Sequence, residues 1–174
     1  MTLLRRHLLR LSWVCLAVVL GACAQHLPLP TQTPQLQLPI QLHIQRRSAD
    51  ATQDWLLVIQ REGDALRWSL LNPLGIPLAR QQLKDGHWTA DGLLPPNAEA
   101  RELFAALLFA LSPAEQLGEL YEGSRWTTEG TGRSLKDGAS DWRVRYGKND
   151  RFDLDVGATL TYGVAPIATA GARH

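Results

Sequence analysis

The 174-residue chain predicts an α+β fold, a curved antiparallel sheet with two helices lying in its concave face between the strands. Three observations predict it. Short runs alternate apolar and polar residues, turn signals separate those runs, and one central stretch breaks the alternation with a block of leucine and alanine. Period-2 alternation marks half-buried strands with one wet face, whereas a long Leu/Ala block favours helix.

Reading from the N-terminus, Arg5, Arg6, His7 and Arg10 form a basic region, followed by the ten-residue apolar run LSWVCLAVVL, Leu11 to Leu20. That run is too short to cross a ~30 Å hydrocarbon core as a helix. Gly21 and Ala22 are small, and Cys23 follows, so residues 1–22 read as an export signal peptide. "LGAC", Leu20 to Cys23, resembles the lipobox of bacterial lipoproteins, in which the cysteine is diacylated on sulfur and its new amine is usually acylated after cleavage. Cysteine usage agrees. Cys15 leaves with the signal, so Cys23 is the single thiol of the mature chain, a liability in an oxidising compartment unless modified. Two or more acyl chains anchor stably where one does not. Ala24, where an aspartate typically retains such proteins at the inner membrane, makes the implied destination the outer membrane, with the body facing the periplasm.

Residues 23–39 read as a lipid-anchored tether. They hold Pro28, Pro30, Pro34 and Pro39 with few charges, which predicts a semi-rigid extended spacer ahead of a domain over 40–174. In that domain "LRWSL" puts Leu66, Trp68 and Leu70 on one face. "WRVRY" does the same with Trp142, Val144 and Tyr146, "RFDLDV" with Phe152, Leu154 and Val156, and "TLTYGV" with Leu160, Tyr162 and Val164. "WLLVIQRE" (55–62) is apolar for five residues, as expected of a strand covered on both faces. "EGD" (62–64), "NPLG" (72–75), "KDG" (84–86) and "GKND" (147–150) supply turns between them. The pattern is an antiparallel meander.

"LFAALLFAL" (103–111) is nine consecutive apolar residues, with Asn97 as N-cap and Glu99 and Glu102 in the first turn. A helix apolar all round must be covered all round, which the hollow of a curved sheet provides. "SPAE" then reads as the start of a second helix, a capping box with Ser112 as N-cap, Pro113 at N1 and Glu115 at N3, running through Leu117 and Leu120.

Charge and motifs exclude several functions. Residues 1–22 hold three of the 18 basic side chains and none of the 17 acidic ones, so the remainder carries a net −2 with no Lys/Arg cluster, and nucleic acid is not an expected partner. HExxH, GxSxG and CxxC are missing, and "GTGRS" (130–134) lacks the spacing and lysine of a P-loop. His87 with Asp85 and Asp91 is the nearest approach to a constellation, and turn residues around a surface histidine explain it better. Asp153 and Asp155 read as a solvated strand face. The expectation is a protein without catalytic residues, metal or cofactor.

One oddity remains. "LLNPLGIPLA" (70–79) offers Leu74 and Ile76 on a turn, where polar residues are usual. "LRWSLLNPLGIPLARQQLKDGHWTADG" (66–92), with the two-helix segment after it, resembles the outer-membrane lipoprotein receptor of the lipoprotein-sorting (Lol) pathway. "LLPPNAEARELFAALLFAL" and the "GVAPIA" ending are similar to a family of uncharacterised outer-membrane lipoproteins of that fold, encoded in aryl-polyene gene clusters. The resemblance implies a half-open (LolA/LolB-like) barrel lined with apolar side chains and lidded by helices. Carried over, Leu74 is the leucine projected from the barrel mouth into the membrane, and Leu66, Trp68, Leu70, Leu103, Phe104, Leu107, Leu108, Leu111, Trp142 and Val144 line a lipid cavity. It further implies acyl or polyene chains as cargo, a periplasmic LolA-like carrier as a candidate partner, and a monomer. The alternative is an envelope scaffold whose barrel is plugged by its own helix and which binds partner proteins.

Overall fold

In the computed structural model, residues 27–92, 94 and 97–167 are described; the signal segment and Cys23 lie outside them. The strands, in chain order, are β1 (Ile40–Arg47), β2 (Thr52–Glu62), β3 (Ala65–Leu71), β4 (Pro77–Lys84), β5 (His87–Ala90), β6 (Trp126–Glu129), β7 (Gly132–Asp137), β8 (Ser140–Tyr146), β9 (Phe152–Val156) and β10 (Leu160–Pro166). Between β5 and β6 come α1 (Ala98–Leu111), a 3₁₀ turn (Ala114–Gln116) and the single-turn α2 (Leu117–Leu120).

The strands form one sheet in the order β5-β4-β3-β2-β1-β10-β9-β8-β7-β6, antiparallel throughout. Two meanders meet where β1 pairs with β10, Ile44 opposite Val164. β5 and β6 remain unpaired edges, so the sheet does not close. It is nevertheless strongly curved. From β5 to β7 a flat sheet would spread over about 38 Å, against a helix only about 10–12 Å across. Yet α1 meets both: Trp88 of β5 packs on Phe104 with ring centroids 5.9 Å apart, and Arg133 of β7 donates to the Phe109 carbonyl oxygen at 3.1 Å. The sheet therefore wraps the helix. Leu103 to Ala110 are all buried, as a helix apolar on every side requires.

Local chemistry explains the helix boundaries. Asn97 is extended, and its side-chain oxygen accepts from the Ala100 N–H at 3.0 Å, as an N-cap should. The predicted capping box at Ser112 does not form. Ser112 instead closes α1: its backbone N–H and its hydroxyl both donate to the Leu108 carbonyl oxygen, at 3.0 and 2.7 Å. The 3₁₀ turn that follows begins at Pro113 without a side-chain cap. A residue before proline is pushed out of helical geometry, and Ser112 sits at φ −61°, ψ 136°. The chain then bends by 102° into the 3₁₀ turn and α2.

Two further expectations are corrected. In β2 only Leu57 and Ile59 are buried, while Leu56 and Val58 face outward and are half-buried, so one face of this strand is uncovered. The proline-rich segment is not a free spacer over its described length. Leu27, Leu29, Leu36 and Leu38 pack against the core, and Pro28, Pro30 and Pro34 are buried. Thr31 donates its N–H to the Leu120 carbonyl oxygen at 2.8 Å. Residues 27–38 form a strap laid on the domain.

Candidate functional site

The turn from β3 to β4 is built to hold apolar side chains outward. Asn72 organises it: its side-chain oxygen accepts from the N–H groups of Leu74 (3.0 Å) and Ile76 (2.9 Å). Its backbone closes the loop, the N–H donating to the Ile76 carbonyl oxygen and the carbonyl accepting from Gly75. Pro73 fixes one torsion, and Gly75, at φ +79°, occupies a conformation that side chains rarely adopt. Leu74 is 84% exposed and Ile76 55%, the exposed large hydrophobics among the described residues. Leu74 does not fold back onto the core. Behind the turn, Leu56 and Leu71 are cross-strand neighbours on the outer face, extending the apolar surface inward.

The residues expected to line a cavity do come together. Leu66, Trp68, Leu70, Leu103, Phe104, Leu107, Leu108, Trp142 and Val144 are each exposed by no more than 1%, with Leu111 half-buried at the end of α1. They meet one another. Trp68 lies against Phe104 at 5.4 Å and edge-on to Trp88 at 5.5 Å, and Phe109 packs on Tyr121 and Trp142. What they form is a packed core filled by α1. An open space of about 500 Å³ lies on the outer face instead, over Gly163 and lined by His43, Arg47, Arg145, Arg151 and Asp153. Charged side chains rim it, and two of its guanidinium groups are already engaged, Arg47 with Asp153 and Arg145 with Asp155.

Polar side chains from four strands clamp α1 at both ends. At its start Glu99 accepts from Arg46 Nε (2.5 Å) and Nη2 (3.1 Å) and from the Tyr162 hydroxyl (2.9 Å). At its end the Tyr146 hydroxyl donates to the Ala110 carbonyl oxygen (2.6 Å), while Arg133 reaches those of Phe109 and Ser112. The Trp142 indole N–H reaches Glu102 at 3.4 Å. Burial pushes the Tyr146 hydroxyl up to about 12, against the opposing effect of Arg133, so it remains a donor. Burial also raises Tyr162, and the Glu99 charge adds to that. For Glu99 burial acts upward, but hydrogen bonds from Arg46 and Tyr162 outweigh it and hold the carboxyl below its ordinary value. A carboxyl lowered by folding stabilises above its unfolded value, near 4.5, and that contribution disappears as pH falls through the folded value. Acidification below about pH 4.5 is therefore expected to lower the melting midpoint. Glu99→Gln should be less stable at neutral pH and show a shallower acid loss, which thermal melts of both proteins across pH 3–7 would measure.

His87 and its neighbours do not assemble. His87 Nδ1 is engaged by the Asp85 carbonyl oxygen at 2.6 Å, and Asp91 pairs with Arg67 at 2.8 Å. Among the described residues no cluster of three or more His, Cys, Asp or Glu side chains could hold a metal ion.

A family model described as "Protein of unknown function (DUF3261)" matches residues 36–164, from the last residues of the strap through most of β10. No curated protein matches the chain.

Proposed function

The chain belongs to the DUF3261 family, proteins of unknown function, and we propose that it is an outer-membrane lipoprotein whose half-barrel helps transfer acyl or polyene chains. In this reading Cys23 carries the lipid and the curved sheet is a half-open barrel of the LolA/LolB kind. A periplasmic carrier of that fold delivers the cargo, and no covalent chemistry is done. The observation that carries the proposal is the Leu74–Ile76 turn. Burying each of two such side chains in hydrocarbon is worth ~1.5–3 kcal/mol. Together these give a free protein only weak, reversible contact with a bilayer, seen when vesicles are in excess, and they orient an anchored one. A protruding apolar tip on an internally bonded turn suits a fluid partner, which closes around it without needing a matching pocket.

The filled interior supports a second reading, an envelope scaffold whose barrel is plugged by α1. The two separate in one experiment on the mature chain carrying Cys23→Ser. Transfer predicts that this soluble form binds phosphatidylethanolamine/phosphatidylglycerol vesicles through the turn and that chloroform extraction of the purified protein releases chain-bearing lipid. Vesicle binding absent and extracts free of lipid would leave the scaffold. The same variant tests the anchor: with native Cys23 the protein should fractionate with outer membranes, and with Cys23→Ser it should not.

A further inference from the structure

The packed core leaves a question that the proposed function must answer: where could an apolar chain reach the interior? α1 is the poorest candidate to move, since side chains of β1, β7, β8 and β10 bond to it at both ends. α2 is different. It is a single turn, joined to α1 through a 102° bend, and contributes Leu117 and Leu120, with Tyr121 beside them, to the apolar cluster. Among the described residues, every hydrogen bond that the segment 114–121 makes to a distant part of the chain goes to the strap. Thr31 donates its N–H to the Leu120 carbonyl oxygen (2.8 Å) and its hydroxyl to that of Glu119 (3.1 Å). The Gln32 amide donates to the Glu119 carboxylate (2.7 Å), and the Gln35 N–H to the Gln116 side-chain oxygen (3.3 Å).

We propose that residues 27–38 and α2 form a gate, the strap being its latch, through which a single acyl or polyene chain reaches the apolar interior. This rests on the chain-transfer reading above. The strap suits the role. It has neither helix nor strand, contributes four leucines that can leave as a unit, and forms none of the sheet's ladders. Its position also fixes a direction. The Pro30 carbonyl oxygen lies 3.6 Å from where a Cβ on Gly86 would stand, in the β4–β5 turn. That turn is at the end of β4 opposite the Leu74 turn, so a chain would be admitted at one end of the sheet while the other meets the bilayer.

The test uses the mature chain with Cys23→Ser, its Thr31→Pro derivative, and a second derivative, Gln32→Ala with Gln116→Ala, that leaves the strap backbone unaltered. Thr31→Pro removes both Thr31 donors. Hydrogen exchange should accelerate roughly tenfold or more at Leu117–Tyr121, with Leu103–Ala110 unchanged. Uptake of a fluorescent sixteen-carbon fatty acid should quicken by a similar factor. Should Thr31→Pro loosen α1 as well, the second derivative decides. Unchanged exchange at α2 in both derivatives would overturn the latch. Loosened α2 with uptake as in the parent would overturn the gate while leaving chain binding intact. Uptake by none of the three proteins would overturn chain transfer itself.

Discussion

Leu107→Ala is expected to destabilise the domain by about 2–5 kcal/mol, the range for truncating a close-packed core leucine. Leu107 sits midway along α1, fully buried, with the helix covered by strands from both meanders. The loss has two parts, the transfer free energy of the removed atoms and the cavity left where clamped neighbours cannot collapse. Clamping matters: with Glu99 and Ala110 both bonded to the sheet, α1 cannot slide to refill the space. Urea denaturation of the soluble chain would measure it. A loss well under 2 kcal/mol would mean that α1 is a loosely seated lid, and chains would then need no gate at the strap.

Leu74→Glu is expected to do the reverse, abolishing function while leaving the fold intact. At 84% exposure the side chain contributes little to the core, and exposed substitutions usually fall within about ±0.5 kcal/mol. The turn's own bonds run through Asn72 and the backbone, so they survive the change. A carboxylate resists transfer into hydrocarbon, so vesicle binding and delivery should fall sharply. A large drop in melting midpoint would show that Leu74 supports the fold, and normal delivery by a stable variant would show that its exposure serves nothing.

Much of this was legible in the sequence because strands and helix obey simple periodicities. Leu66, Trp68 and Leu70 alternate with polar residues and point inward together; the block 103–111 is apolar all round and is wrapped. The β6–β7 hairpin gave no such signal, since Leu135 is its single fully buried apolar residue. The strap escaped because prolines and glutamines suggest a linker. Its leucines do alternate, 27 with 29 and 36 with 38, which is the signal that could have found it. At Ser112 two local rules competed, the capping box and the conformation imposed by the next proline, and proline won. The outward Leu74 was readable as an oddity of composition, but its fixed presentation depends on Asn72 bonds that become visible only in three dimensions.

The most direct test places an environment-sensitive fluorophore on the turn. In the mature chain with Cys23→Ser, Leu74→Cys would be labelled with a nitrobenzoxadiazole dye and mixed with phosphatidylethanolamine/phosphatidylglycerol vesicles, beside the same label at Arg143 on the outer face of β8. A turn that enters the bilayer predicts a blue-shifted, brighter emission at position 74, quenched by lipids spin-labelled on their acyl chains, with position 143 unchanged. An emission at position 74 that stays at its value in water would contradict the account.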